Sequence, residues 1–133
     1  MKIRLLKRDE LAIVKPWYLA RPGWAVMDDS SYPETAFVVE KDNELLAAGF
    51  LYISNSDMGF LEWTVTNPET SPLLRLKALK YLILGIKDFC KSGQINGVKH
   101  ILQFIADDRL IDFYKEHCGF VSTEKHMLMV TNI

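Results

Sequence analysis

The chain has few cysteines and no long apolar run, and each deficit excludes a class of protein. Two cysteines in 133 residues do not make the disulfide framework of a small secreted domain, so we expect a reducing, cytoplasmic location. Residues 1–8 lack the apolar core of a signal peptide. The most apolar window, Leu79–Ile86, is interrupted by Lys80 and is far shorter than the roughly 18 residues that span a membrane. We therefore expect no membrane partner.

A large net charge is also missing. The sequence holds 16 lysines and arginines against 17 aspartates and glutamates, a formal net charge of −1. Without an overall positive field the chain has little to attract nucleic acid, so we expect no nucleic-acid partner. Its three histidines and two cysteines show none of the spacings of a zinc site, and we expect no metal.

What the sequence does contain is the composition of one folded domain. Apolar residues make up 49% and charged residues 25%, close to ordinary globular usage. A chain of this length buries about two thirds of its unfolded surface, which is enough for a core. Neither a repeat nor a linker divides it, so we predict a single domain over residues 1–133.

Alternating apolar residues predict strands, and apolar residues three and four apart predict helices. In the first half we expect a strand at Lys2–Leu6 and a helix at Glu10–Leu19 that Asp9 caps. Residues 20–35 are expected to form a loop, long enough to suggest a function. Three antiparallel strands follow, at Thr35–Lys41, Glu44–Ser54 and Gly59–Thr66.

The strongest helix pattern begins in the second half. Ser71 is a natural N-cap, Pro72 suits the first helical position, and Gly93 ends the helix. Val98–Ile105 is predicted to be a strand, parallel to the strand before the helix because the connection is a right-handed crossover.

The chain is predicted to end with a helix and two closing strands. Asp107 or Asp108 caps the helix, which runs to about His117, and Gly119 breaks it. The strands are expected at Phe120–Thr123 and His126–Thr131. Together these elements make an α/β (α+β) fold, a mixed and mostly antiparallel sheet with helices on both faces.

Three segments, in this order of elements, resemble the GNAT superfamily of N-acyltransferases. The first pairs segment 47–52 with 60–65, the second is Asn67-Pro68-Glu69 before a long helix, and the third is Phe113–Phe120, where a helix ends in Gly-Phe. The resemblance spans the whole chain and is strongest to small GNAT-like proteins of phage and environmental sequences. It implies a GNAT-like acyl-CoA N-acyltransferase fold, acetyl-CoA as co-substrate, and direct transfer of the acetyl group to a small-molecule or protein amine.

The resemblance also implies roles for particular residues. Glu62 stands where the family often keeps the general base that takes a proton from the amine. Tyr114 would protonate the leaving thiolate, and it stands five residues before Gly119 where the family usually has four. The positions implied to line the pantetheine arm of acetyl-CoA are Trp63, Thr64 and Val65. The asparagine that the family has near this arm is replaced here by Asp107 or Asp108.

The chain departs from the family at the pyrophosphate loop. The family has glycines there, which let backbone N–H groups approach the phosphates at a helix start. Residues 68–78 contain no glycine, and Pro72 has no N–H to donate. The side chains of Ser71, Arg75 and Lys77 are then the candidate phosphate ligands. A second hypothesis follows, that the chain is a catalytically inactive GNAT-fold binding or interaction module.

Several features have two interpretations that the sequence leaves open. Glu62 is either the base or a carboxylate paired with a nearby cation, and Tyr114 is either the acid or a packed aromatic. Loop residues Asp28, Asp29 and Glu34 hint at a cationic acceptor, and a homodimer is neither indicated nor excluded. The aromatic residues that form either a substrate wall or packing over the first helix are Trp17, Tyr18, Trp24 and Tyr32.

Overall fold

The computed structural model describes residues 1–95, 97–123 and 131. The chain forms two compact units, Met1–Leu102 and Gln103–Ile133. The strands and helices of the first unit are β1 (Lys2–Leu5), α1 (Leu11–Leu19), β2 (Ala36–Lys41), β3 (Glu44–Ile53), β4 (Met58–Thr66), α2 (Pro72–Lys91) and β5 (His100–Leu102). The second unit contains α3 (Asp108–His117).

The first unit is built on one sheet of five strands in the order β1-β2-β3-β4-β5. Strands β1 to β4 are antiparallel neighbours, and β5 joins β4 in parallel. Asp42 and Asn43, with φ angles of 52° and 63°, form the tight turn between β2 and β3, because both adopt the left-handed conformation that matches the twist of a hairpin. The mixed, mostly antiparallel sheet and the parallel crossover are therefore confirmed.

Both faces of this sheet are covered by helices, as predicted. Residues Ala36 to Val39 of β2 are all buried, and alternate side chains point to opposite faces. Val38 belongs to the cluster that includes Leu11 and Val14 of α1. Phe37 instead packs on Phe89 of α2, with ring centroids 5.2 Å apart. The sheet is thus held between α1 on one face and α2 on the other.

The ends of α2 are those that the sequence predicts. The Ser71 hydroxyl accepts a hydrogen bond from the Leu74 amide at 3.3 Å, and Pro72 is the first helical residue. Gly93, with a φ angle of 81°, follows the last turn. An N-cap of this type contributes about 0.5–2 kcal/mol, so local sequence alone places this helix.

The predicted cap of the first helix is wrong. Asp9 lies inside a short 3-10 turn, Arg8–Glu10, that precedes α1. The side chain of Glu10 accepts the Lys7 amide at 2.8 Å instead. Glu10 is the better cap because a bidentate ion pair with Arg4, at 2.8 Å for each oxygen, already fixes its carboxylate.

Two predictions about later strands also need correction. Strand β5 covers three residues rather than Val98–Ile105, and it pairs with Met58–Phe60, just before the backbone of β4 departs from regular geometry. Residues 120–123 form no strand, because the amide of Phe120 donates to the carbonyl of Tyr114 in the helix at 3.3 Å. The predicted strand His126–Thr131 lies outside the described residues apart from its last residue.

Candidate active site

The main irregularity of the sheet is a bulge in β4. Ala48 of β3 pairs with Val65 and Phe50 pairs with Glu62, so three steps along β4 match two along β3. Trp63 takes up the extra residue with a φ angle of 56°, in a region that costs a non-glycine residue on the order of 1 kcal/mol. Bulges of this kind re-aim side chains and often lie next to active sites.

The bulge turns two neighbouring side chains toward the same face. Residues paired across antiparallel strands share a face, so Glu62 lies on the α1 side with Phe50. Trp63 also packs against the buried cluster on the α1 side. In a regular strand it would point the opposite way. A carboxylate and an indole are thereby placed side by side.

Four rings gather at this point, and we call them the aromatic cluster: Tyr18, Trp24, Tyr32 and Trp63. The centroid of Trp63 lies 5.8 Å from that of Tyr18, 6.4 Å from Trp24 and 6.1 Å from Tyr32. The Tyr18 hydroxyl donates to the backbone carbonyl of Trp63. Three of the four predicted aromatic residues therefore do come together, and Trp63 is the member that the loop prediction missed.

The aromatic cluster has a buried layer and an outer layer. Tyr18 and Tyr32 are buried, whereas Trp24 is 41% exposed and Trp63 is half-buried. Trp17 is buried in the core on the same side of the sheet. The inner rings therefore form packing over the first helix, as one interpretation of the sequence predicts, while a substrate wall formed by the outer indoles stays a prediction.

Glu62 lies near the half-buried Tyr52. Burial raises the pKa of Tyr52, a hydrogen bond with the Trp63 side chain acts against this, and the charge of Glu62 raises it further. The Tyr52 hydroxyl donates to the carbonyl of Ser31 at 3.0 Å. Two polar side chains therefore flank the bulge.

Beyond Phe60, β4 leaves its parallel partner. In the described part of the first unit, the ladder to β5 ends at Phe60, while β4 continues to Thr66. Trp63 and Thr64 are half-buried here, and the side chain of Val65 is in the core. Of the three predicted pantetheine-lining residues, Val65 can therefore offer a ligand only its backbone.

Several backbone amides of the loop after β4 already donate hydrogen bonds within the protein. The Asn67 amide donates to Leu46 at 2.8 Å. The Asn67 side-chain oxygen accepts from the Glu69 amide at 2.9 Å, and its carbonyl accepts from the Thr70 amide at 3.2 Å. Asn67 is buried, and its backbone and side chain join the loop to β3 and to the residues that follow.

The first turn of α2 leaves few amides for an anion. The Leu74 amide donates to the Ser71 hydroxyl, and the Arg75 amide donates to the Ser71 carbonyl at 2.9 Å. Pro72 has no amide proton. Among the described residues of this turn, the amides of Ser71 and Leu73 are the ones that remain for a ligand.

The structure places the three candidate phosphate ligands on two sides of α2. Arg75 follows Ser71 by four residues and therefore lies on the same side of the helix. Lys77, two residues further on, points elsewhere and lines a groove of about 590 Å³ with Ile3 and Tyr81. The structure thus brings Ser71 and Arg75 together, but not Lys77.

In the second unit, Asp107 and Tyr114 have structural contacts of their own. The Asp107 carboxylate caps α3, accepting the amides of Arg109 at 2.9 Å and Leu110 at 3.4 Å. Tyr114 is buried, its hydroxyl accepts a long bond of 3.4 Å from the Gln103 amide group, and its ring packs on Phe120. The predicted cap of the last helix is thereby confirmed.

The acidic loop is less acidic than its sequence suggests. Lys15 contacts the Asp29 carboxylate at 2.7 Å, and this hydrogen bond lowers the pKa of Asp29. The charge of Asp29 is thus neutralised within the chain. In the described ranges, no three His, Cys, Asp or Glu side chains are grouped as a metal would require, and no helix is long and apolar enough to cross a membrane.

Comparison with known proteins identifies this architecture. No family model and no curated protein matches the sequence. A candidate acetyltransferase from Agrobacterium tumefaciens matches 98% of this chain and 100% of its own, with a TM-score of 0.72 at 13% identity. An acetyltransferase from Trypanosoma brucei matches 98% of this chain and 99% of its own, with a TM-score of 0.67 at 15% identity. The chain has the GNAT acetyltransferase fold.

A third structural neighbour has been solved with a ligand. Rv2747 from Mycobacterium tuberculosis, in complex with CoA, matches 97% of this chain, which covers 76% of that protein, with a TM-score of 0.66 at 14% identity. A structural match at such low sequence identity establishes the fold, and the chemistry has to be argued from the residues of the site. The GNAT fold implied by the sequence resemblance is therefore confirmed.

Proposed function

We propose that this chain is an N-acetyltransferase that transfers the acetyl group of acetyl-CoA directly to an amine. The observation that carries the proposal is the bulge at Trp63, which sets Glu62 beside a stretch of β4 that extends past its parallel partner. An acetyltransferase among the structural neighbours, and a further neighbour in complex with CoA, support the same assignment.

The residues around the bulge and at the start of α2 would contact the pantetheine arm and the phosphates of acetyl-CoA. A pantetheine arm carries amides that can pair with an extended backbone as an added strand would. Here it would run along Trp63, Thr64 and Val65, in the part of β4 that continues past Phe60. Phosphates would be held by Arg75 together with the amides of Ser71 and Leu73, at the positive end of the α2 dipole. Acetyl-CoA itself supplies the thioester carbonyl and a thiolate leaving group.

Side chains of the protein would accept and donate the protons of this reaction. An amine acceptor is mostly protonated at neutral pH, and Glu62 takes one proton from it, directly or through one water. The nitrogen lone pair then forms the C–N bond with the thioester carbon as the C–S bond breaks, and the nitrogen releases its second proton to water as the amide forms. Tyr114 remains the predicted donor of the proton that the thiolate takes up. Tyr52 lies close enough to Glu62 to feel its charge, and Trp63 follows Glu62 in the chain.

The experiment that tests the proposal measures CoA binding and acetyl transfer separately. Calorimetric titration with CoA reports binding, and release of free thiol from acetyl-CoA in the presence of amines reports turnover. We expect saturable CoA binding and amine-dependent thiol release. Thiol release that is the same with and without amine would contradict N-acetyl transfer.

One observation favours the second candidate, an inactive GNAT-fold interaction module. Between Asn67 and Arg75 the chain contains two prolines, and most of its amides are bonded within the loop. The backbone cradle for a diphosphate is therefore reduced to the amides of Ser71 and Leu73. An absence of measurable CoA binding by the wild-type protein would favour this candidate.

A further inference from the structure

The outer layer of the aromatic cluster, Trp24 and Trp63, forms an exposed apolar surface beside the bulge, which we call the apolar corner. The indoles of Trp24 and Trp63 lie 6.4 Å apart at an interplanar angle of 85°. Trp24 is 41% exposed and Val26 of the same loop is 39% exposed. Exposed apolar surface next to a candidate site is typical of a surface that binds a ligand or partner.

The charges around this corner restrict what it can receive. The guanidinium of Arg21 lies 4.8 Å from the ring centre of Trp24, and the ammonium of Lys15 lies 5.9 Å from that of Tyr32. Both are cation–π contacts, which show that these rings attract positive charge. Because Lys15 is paired with Asp29, Arg21 is the cation here that would repel a ligand with several positive charges. On the bulge side, the negative charge comes from Glu62.

We propose that the acceptor is a primary amine with a single positive charge, carried on an aromatic body. The ammonium group would face Glu62, and the aromatic body would lie against Trp24 and Trp63. This inference rests on the proposed acetyl transfer. It disfavours polyamines and lysine-rich peptides as acceptors, because their additional charges meet Arg21.

A pair of matched amines tests the inference by binding alone. In calorimetric titrations without acetyl-CoA, 2-phenylethylamine and 2-cyclohexylethylamine carry the same ammonium group and differ in the aromatic ring. We expect the phenyl compound to bind at least threefold more tightly, and spermidine to bind more weakly than either. Equal Kd values for all three amines would overturn the inference.

Matched variants locate the contact. Trp24→Leu should weaken binding of 2-phenylethylamine about fivefold and raise its KM in acetyl transfer by a similar factor, because the ring contact is lost. Trp24→Phe should stay within about twofold of wild type. The control is Tyr81→Leu on α2, since Tyr81 is 42% exposed and loses an aromatic ring in the same way. Equal effects at Trp24 and Tyr81 would contradict the inference.

The inference and the proposed function can fail separately. Trp24-dependent binding of 2-phenylethylamine without any acetyl transfer would retain the aromatic-amine site and remove the enzymatic function. Acetyl transfer to spermidine or a lysine peptide with kcat/KM equal to that for 2-phenylethylamine would retain the enzyme and overturn the aromatic-amine acceptor.

Discussion

The hydroxyl of Tyr18 in α1 donates a hydrogen bond to the backbone carbonyl of Trp63, 45 residues further along the chain. Trp63 is the residue with positive φ in the bulge, so this bond ties the irregular backbone to the helix that covers it. Tyr18 is fully buried. The geometry of the candidate active site therefore depends on packing between α1 and β4.

Removing this hydroxyl should destabilise the protein. Tyr18→Phe keeps the ring and leaves the Trp63 carbonyl without its donor, a loss of about 1–2 kcal/mol in the free energy of unfolding. Urea denaturation measures the change. Tyr81→Phe, at an exposed position on α2, serves as the control and should change stability by less than about 0.5 kcal/mol. An equal change in the two variants would argue against a role for the Tyr18 bond.

Glu62 is expected to act as the general base. Glu62→Gln keeps the shape of the side chain and removes its basicity, so kcat should fall about 10²–10³-fold, within the range for a positioned acid–base group. The Kd for CoA should be unchanged. Steady-state kinetics across pH and calorimetry make the two measurements. Glu69→Gln is the control at an exposed glutamate, and wild-type turnover in Glu62→Gln would assign the proton transfer to water.

Tyr114 is predicted to protonate the thiolate. Tyr114→Phe removes the hydroxyl while keeping the buried ring that packs on Phe120. We expect kcat to fall about tenfold, less than for Glu62→Gln because water can also supply a proton. A folded variant with wild-type kcat would leave Tyr114 as a packing residue.

The two sides of α2 give a direct comparison for donor binding. Arg75→Ala should weaken CoA binding about ten- to hundredfold, since it removes one charge-assisted contact with a phosphate worth about 1.5–3 kcal/mol. Lys77→Ala removes the same charge from the opposite side and should change the Kd less than about twofold. If the order is reversed, the phosphates lie toward the groove that contains Lys77.

Acid should weaken one defined ion pair. Its hydrogen bond with Arg4 holds the pKa of Glu10 below the ordinary value of 4.5. Because the folded-state pKa is depressed, this stabilisation is present above pH 4.5 and is lost as the pH falls through the folded-state pKa. Glu10→Gln should cost on the order of 1–2 kcal/mol at pH 7.

Urea denaturation at a series of pH values measures this difference between wild type and Glu10→Gln. The difference should shrink steadily below pH 4, when the wild-type carboxylate also becomes protonated. Glu69→Gln again serves as the control and should show little dependence on pH. A difference that stays constant down to pH 2 would show that the charge of Glu10 does not matter.

Features set by neighbouring residues in the chain could be predicted from sequence. Ser71 and Pro72 start α2, Gly93 ends it, and Asp107 caps α3, because each acts through its own backbone conformation or an amide two or three residues away. Asp9 was equally suitable as a cap by its residue type. It is displaced by Glu10, whose carboxylate is fixed by Arg4 of β1 six residues earlier. Arg4 is itself held by Glu40 of β2, 36 residues away, and that contact leaves no local signal.

The bulge itself could not be predicted, although the sequence does predict the strand that contains it and names Glu62 as a candidate base. Nothing in Phe60–Thr66 marks Trp63 for a positive φ, since tryptophan is an ordinary strand residue. The conformation is stabilised by Tyr18 and by rings from the loop, which come together only in the folded chain. For the same reason, the sequence named Glu62 as a candidate without showing which face it shares with Trp63.

The aromatic cluster also equips the protein with its own optical reporter. The rings of Tyr18, Trp24 and Trp63 lie about 6 Å apart, and the planes of the two indoles are nearly perpendicular. Aromatic rings held in a fixed, asymmetric arrangement give a near-ultraviolet circular dichroism signal. That signal disappears when side-chain packing is lost. The spectrum should therefore follow the integrity of the bulge in solution, without any label.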